Sequence, residues 1–159
     1  MRILVTGCAG FIGSHVCERL LSTTDYEIMG IDNLNAYYDV EIKIQNLKIL
    51  EKYDNFTFYK HDICETNIIS DLKPDKICHL ASMAGVRYSI KHPKLYVKVN
   101  IEGFIHILEE AVKNKVQNLV YASSSSVYGL NKKVSFSESD EIKTCNSPYA
   151  SSKMAMEIF

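Results

Sequence analysis

The stretch Val5-Thr6-Gly7-Cys8-Ala9-Gly10-Phe11-Ile12-Gly13 places glycines at G-x-x-G-x-x-G spacing, directly after an apolar run and directly before a helical pattern. The first glycine allows a tight turn, the second lets backbone approach a pyrophosphate, and the third lets helix and strand pack closely. Pyrophosphate oxygens would then sit at the N-terminus of the helix opened by Phe11, on unpaired N–H groups and the positive end of the helix dipole. Three glycines alone also suit a plain strand-to-helix turn, so the flanks decide. Asp32 ends the next apolar run, about 20 residues further on. A carboxylate there accepts hydrogen bonds from the adenosine ribose hydroxyls and repels a 2′-phosphate, which selects NAD over NADP.

Outward from this loop, short apolar runs alternate with helical patterns, as in a parallel sheet covered by helices. Strands are predicted at 2–6, 27–31, 57–60, 76–80 and 118–122, and helices at 11–21, 41–52, 96–113 and 149–159. The first helix carries Ile12, Val16, Leu20 and Leu21 at helical spacing, the second Ile42, Leu47 and Leu50. Ser147-Pro148 suits the start of the last helix. The fold class is α/β, a Rossmann-type doubly wound parallel sheet. At 159 residues the chain has room for one domain, so residues 1–159 are read as a single NAD-binding Rossmann domain. The chain stops inside an apolar helical pattern with no C-cap. It is therefore expected to be truncated before the last strands and a substrate domain.

A net charge of −1 offers no electrostatic argument for nucleic acid. No apolar run reaches the roughly 20 residues of a membrane span. Met1 leads straight into the first strand, leaving no room for a signal peptide, so a cytoplasmic location is expected. Five cysteines, scattered and without C-x-x-C spacing, argue against a disulfide framework and a metal site. Each reads as a small apolar residue, and only Cys8, in the glycine loop, is a candidate for lying near a ligand.

Ser123-Ser124-Ser125-Ser126-Val127-Tyr128-Gly129 follows the fifth strand, and downstream Tyr149 and Lys153 are spaced i, i+4 on one helical face. A phenol with a pKa of about 10 is a poor base at neutral pH. A neighbouring ammonium favours the phenolate. Tyr149 is then suited to take a proton from a sugar hydroxyl, with a serine hydroxyl holding the reacting oxygen. A surface helical pair is the plainer reading, and the glycine loop tips the balance away from it.

Together these residues resemble the extended short-chain dehydrogenase/reductase family, the NAD-dependent epimerases and dehydratases, and within it UDP-glucuronate 4-epimerases. The resemblance runs through Gly30-Ile31-Asp32-Asn33-Leu34-Asn35-Ala36-Tyr37-Tyr38-Asp39, His61-Asp62-Ile63, residues 79–89, Val99-Asn100-Ile101-Glu102-Gly103, residues 121–131 and residues 147–153. It implies that Gly7, Gly10, Phe11, Ile12 and Gly13 bind the pyrophosphate of NAD. Asp32, Asn33 and Asn35 would hold the adenosine ribose, and Asp62 with Ile63 the adenine edge. Leu80, Ala81 and Ser82 would line the nicotinamide side, and Asn100 would brace the site. Ser124 takes the catalytic Ser/Thr position and Tyr149 that of the base. Lys153 would bind the nicotinamide ribose and tune Tyr149. The implied chemistry is oxidation of the sugar C4 to a ketone, rotation of the ketose, and hydride return to the opposite face.

Related dehydratases and decarboxylases carry acidic residues where this chain has Ser125 and Ser126. The small hydroxyls suit a UDP-sugar carboxylate, with UDP-glucuronate the favoured substrate. Arg87 is a candidate for added positive charge there, or a loop arginine facing the diphosphate or solvent. His79 reads as a packed structural histidine. Ser82-Met83 departs from the small or polar residues usual after the His-Leu-Ala turn. Members of the family typically continue for about as many residues again, with the part that grips the nucleotide. The 159 residues alone are therefore expected to be inactive, and the intact protein to be a homodimer. The alternatives are a non-catalytic NAD-binding fragment, or a dehydratase or decarboxylase of the same family.

Overall fold

The computed structural model describes residues 1–65 and 67–159, divided into two compact units. The first comprises Met1–Ala81 and Ile107–Ala122. It contains five parallel strands, β1 (Arg2–Thr6), β2 (Glu27–Asp32), β3 (Phe56–Lys60), β4 (Lys76–His79) and β5 (Asn118–Tyr121), in the order β3-β2-β1-β4-β5. The order reverses direction between β1 and β4, the switch point at which a Rossmann-type sheet opens its ligand crevice. The predicted strands match within one residue at each end. The central strands are closed on both faces: Leu4, Val5, Ile28, Met29 and Ile31 have no exposed surface. The edge strands β3 and β5 are only partly covered.

Helices α1 (Phe11–Thr23) and α2 (Val40–Leu50) lie in this unit, and both correct the sequence reading. The buried stripe of α1 is Gly13, Cys17 and Leu21, while Ile12 is 60% exposed. Gly13 lets the start of the helix press against the glycine turn, where a Cβ would lie 2.0 Å from Gly7 O, and the branched Ile12 points away. On α2, Lys43 joins Leu47 and Leu50 on the buried side, and Ile42 is 50% exposed. The short helix α3 (Ile68–Leu72), unforeseen because it is barely one turn, buries Ile68, Ile69 and Leu72.

The second unit comprises Ser82–His106 and Ser123–Phe159. The loop expected to hold Arg87 is the helix α4 (Val86–Lys91). The single helix predicted over 96–113 is composite. It runs as α5 (Pro93–Tyr96), a π-helical stretch Val97–Glu102, and α6 (Gly103–Lys113), whose residues from Ile107 onward belong to the first unit. Wide turns of this kind are frequent at functional positions, and this one carries the buried Asn100. A 3-10 turn spans Ser125–Tyr128 and the last helix, α7, spans Pro148–Ile158. Ser147 caps α7 by accepting from Ala150 N at 3.1 Å, and Pro148 fills the first turn, where no N–H is needed. Among the described residues no helix is long and apolar enough to cross a membrane.

Candidate functional site

In the first unit the glycine turn lies at the carboxyl end of β1. Gly7 has φ +73°, and a Cβ there would lie 2.8 Å from Ala81 N. A Cβ at Gly13 would lie 2.0 Å from Gly7 O, so neither position accepts a side chain. Gly10 has more room, with the nearest atom 3.3 Å from a notional Cβ. The N–H groups of Gly7 and Cys8 both donate to Ile31 O, at 2.7 and 3.2 Å, and Gly10 N donates to Gly7 O. Helix α1 begins at Gly10 without a side-chain cap. Among the described residues the amides of Phe11, Ile12 and Gly13 have no protein acceptor, and the first bonded helical amide is Ser14 N, to Gly10 O at 2.9 Å. The Phe11 and Ile12 side chains point out to solvent. Three free N–H groups at the positive end of a dipole, over a backbone with no side chains in the way, form an anion cradle.

Asp32 closes β2 with its side chain 6% exposed. Its Oδ1 accepts from Leu34 N at 2.8 Å and from Lys43 Nζ at 3.1 Å. Asn33 Nδ2 donates to Asp62 Oδ2 at 2.8 Å, and Asn33 Oδ1 accepts from Asn35 N and Nδ2. Thus Asn33, Asn35 and Asp62 are one network, and Asp62 Oδ1 also accepts from Cys64 N. Ile63 is buried beside it. Tyr38 sits close by: the Lys43 ammonium is 5.2 Å from its ring centre, and burial, then the nearby Asp32 charge, push its phenol pKa up.

At the switch point, Thr6 Oγ1 accepts from Leu80 N and Ala81 N, each at 3.2 Å, and lies 2.9 Å from His79 Nδ1. The hydroxyl and the ring nitrogen share one hydrogen bond, whose direction follows the histidine tautomer. Buried Thr6 and His79 therefore fix the ends of β1 and β4, consistent with a structural histidine. Cys8 and Cys17 are fully buried, and desolvation pushes both thiols up, Cys17 to about 12, so neither is a nucleophile at neutral pH.

In the second unit Asn100 is the hub. Its Oδ1 accepts from Met83 N at 2.7 Å and Ser82 Oγ at 3.1 Å. Its Nδ2 donates to Met83 O at 3.0 Å and Ser152 Oγ at 2.9 Å. Ser152 Oγ in turn donates to Tyr149 O at 2.8 Å. Tyr96 packs edge-on against the Tyr149 ring, with centres 6.1 Å apart, and its hydroxyl donates to Gly85 O at 2.9 Å. Lys153, one turn beyond Tyr149 on α7, is 3% exposed, and desolvation pushes its ammonium down to about 8.

Ser124 is half-buried, and its Oγ caps the 3-10 turn by accepting from Ser126 N at 3.2 Å. Ser125 is exposed and Ser126 half-buried. Ser123 Oγ hydrogen-bonds Glu157. Arg87 is exposed on α4 and makes no hydrogen bond or ion pair among the described residues. The predicted cofactor residues 7–81 thus gather in the first unit, and Ser82, Asn100, the serine turn and the Tyr149 helix in the second. Sequence reasoning missed Thr6, Lys43, Tyr96 and Ser152. For Lys43 a signal existed, because it shares four- and three-residue spacing with Leu47 and Leu50. The others act through hydrogen bonds or ring contacts that no spacing announces.

A parallel sheet with a glycine cradle at its switch point, in a chain that also carries Tyr-x-x-x-Lys on a capped helix, defines a Rossmann-type protein of the extended short-chain dehydrogenase/reductase class. The chain belongs to the family described as GDP-mannose 4,6 dehydratase, whose model matches residues 4–159. It is 45% identical to protein CapI of Staphylococcus aureus over 99% of this chain and 48% of that protein. With a probable UDP-glucuronate 4-epimerase of Rhizobium meliloti it shares 40% identity over 99% of this chain and 47% of that protein. The crystal structure of UDP-glucuronic acid 4-epimerase from Bacillus cereus, in complex with UDP-glucuronic acid and NAD, superposes with a TM-score of 0.90 at 38% identity. That match covers 99% of this chain and 50% of the other. The chain therefore spans about half the length of the curated relatives it matches.

Proposed function

We propose that this chain supplies the NAD-binding and proton-transfer residues of a nucleotide-sugar 4-epimerase acting on UDP-glucuronate. The observation that carries the reading is the presence, in one chain, of the Gly7–Gly13 cradle and a buried Lys153 four residues after Tyr149 on α7. The cradle fits NAD: a Cβ at Gly7 or Gly13 would collide with backbone, three amides without an acceptor among the described residues are placed to meet a pyrophosphate, and Asp32 stands at the next strand end. In this reading Phe11, Ile12 and Gly13 bind the pyrophosphate through their N–H groups. Asp32, Asn33 and Asn35 hold the adenosine ribose, Asp62 and Ile63 the adenine edge, and Leu80, Ala81 and Ser82 the nicotinamide side.

When bound, NAD supplies a hydride acceptor for the sugar C4 and returns the hydride to the ketone. Tyr149 takes the proton of the C4 hydroxyl and gives it back after the sugar has turned. Lys153 favours the Tyr149 phenolate through its charge. Ser124, already held as a turn cap, offers its O–H to the C4 oxygen. Asn100 keeps the Tyr149 backbone in place through Ser152. Ser125 and Ser126 favour epimerisation over elimination, since neither side chain is an acid or base at neutral pH, and with Arg87 they are the proposed contacts of the sugar carboxylate.

The relatives' remaining length is where this reading places the grip on the nucleotide, so the 159 residues alone are expected to turn over little. The exposed Val112 of α6 and Ile158 of α7 are the proposed contacts of a homodimer of the intact protein. The test is C4 inversion of UDP-glucuronate, followed by proton NMR with NAD present, by protein expressed from the complete reading frame. Inversion that is lost in Tyr149→Phe supports the reading. Inversion that survives Tyr149→Phe, or its absence from the wild type, overturns it.

A further inference from the structure

We infer that Lys43 sets how strongly this chain discriminates NAD from NADP, an inference that rests on the cofactor reading above. A lone carboxylate at the end of the second strand would repel a 2′-phosphate with its full charge. Asp32 is not alone. Its Oδ1 is occupied by Leu34 N at 2.8 Å and by the Lys43 ammonium at 3.1 Å, and the two charged side chains are 6% and 5% exposed. Among the described residues Oδ2 accepts no hydrogen bond, so it is the oxygen left for a ribose hydroxyl.

The Lys43 ammonium is fixed from a second side. It lies 5.2 Å from the centre of the Tyr38 ring, and the Tyr38 hydroxyl reaches to 3.6 Å from where a Gly10 Cβ would stand. The cation is therefore seated between the acid that reads the ribose and an aromatic side chain at the middle glycine of the cradle. An ammonium has three donors and is a good point-charge partner for phosphate. Asp32 takes one.

Two consequences follow from the charges. With both residues present the pair is close to neutral, so a 2′-phosphate meets weaker repulsion than Asp32 alone would give. With Asp32 made neutral, the same ammonium becomes an attractive partner for the 2′-phosphate. Lys43 acts on the cofactor's ribose end through Asp32, as a positioning and charge-setting residue.

The test is calorimetric titration of the 159-residue chain with NAD and with NADP, each variant first checked for a cooperative thermal transition. Asp32→Asn is expected to bind NADP about tenfold more tightly than the wild type, a difference of about 1.4 kcal/mol. The double variant Asp32→Asn/Lys43→Met, which leaves no unpaired buried charge, is expected to lose that gain. Lys43→Met alone is expected to widen the NAD preference about tenfold, and Lys43→Arg to leave it within about twofold of the wild type. A gain in NADP affinity that persists in the double variant overturns the inference. Should Asp32→Asn fail to fold, the comparison of Lys43→Met with Lys43→Arg decides, and equal NAD-to-NADP ratios in the two overturn it. A wild type that binds NAD while these ratios stay fixed sinks the role of Lys43 only. A wild type that binds neither dinucleotide sinks the cofactor reading and this inference with it.

Discussion

Asn100 Nδ2 donates to Ser152 Oγ across 2.9 Å, joining the π-helical stretch 97–102 to helix α7. The same side chain holds both the N–H and the C=O of Met83. Asn100→Leu fills similar space and removes all four hydrogen bonds of the Asn100 side chain, leaving Met83 N without its side-chain acceptor and Met83 O without its amide donor. Each buried polar group left unpaired costs about 1–3 kcal/mol. The variant is expected to lose about 3 kcal/mol of stability in urea unfolding, and Asn100→Asp, which sets an acceptor against Met83 O and buries a charge, is expected to lose at least as much. A Leu variant as stable as the wild type would contradict the bracing role.

The three glycines of the cradle are predicted to fail differently. Gly13→Ala drives a methyl group to 2.0 Å from Gly7 O, and Gly7→Ala adds a positive φ to a backbone collision. Both are expected to abolish cooperative unfolding or to cost more than about 3 kcal/mol. Gly10→Ala meets its nearest neighbour at 3.3 Å. It is expected to fold within about 1 kcal/mol of the wild type while binding NAD at least about tenfold more weakly, because the methyl group narrows the approach to the pyrophosphate. Thermal melts and NAD titration separate the two outcomes; a Gly10→Ala protein with undiminished NAD affinity would show that this glycine serves the turn alone.

Thr6→Val keeps the shape of a fully buried side chain and removes the hydroxyl shared by His79, Leu80 and Ala81. The Leu80 amide retains Thr6 O at 3.1 Å, so the loss falls on the Ala81 amide and the histidine ring. A destabilisation of about 2 kcal/mol is expected, with faster hydrogen exchange at the Ala81 amide. Unchanged exchange there would place the strand-end constraint elsewhere.

These three cases also mark what was legible in the sequence. Strands β1 and β2 are buried on both faces, so their apolar runs announce them within a residue. The glycine loop was legible because its geometry tolerates no other residue at Gly7 and Gly13. Helix faces were less legible. Ile12 and Ile42 look like core and are exposed, because the start of α1 needs Gly13 against the glycine turn and the inner face of α2 gives its first place to Lys43. The helix predicted over 96–113 contains a π-helical stretch that carries Asn100, whose partners Met83 and Ser152 are distant in sequence and invisible to periodicity. Short helices such as α3 and α4 carry too few residues for a period to show.

Burial lowers the Lys153 ammonium to about 8 from the ordinary lysine value of 10.5. Between those two values the unfolded chain binds more protons than the folded one, so stability rises with pH over that window. Comparing urea midpoints of the wild type and Lys153→Met from pH 7 to pH 10.5 removes the contribution of other groups. The difference is expected to shift in favour of the wild type as the pH climbs past about 8. A shift in the other direction, or none, would mean that the ammonium is not held in a desolvating environment.

The most direct measurement of the central claim is equilibrium titration of the 159-residue chain with NAD. The cradle and the Asp32 strand end predict saturable binding of one NAD per chain, competed by ADP-ribose and weakened by Gly10→Ala in a protein that still melts cooperatively. A folded wild-type chain that takes up no NAD would contradict the account, whatever its likeness to the epimerases.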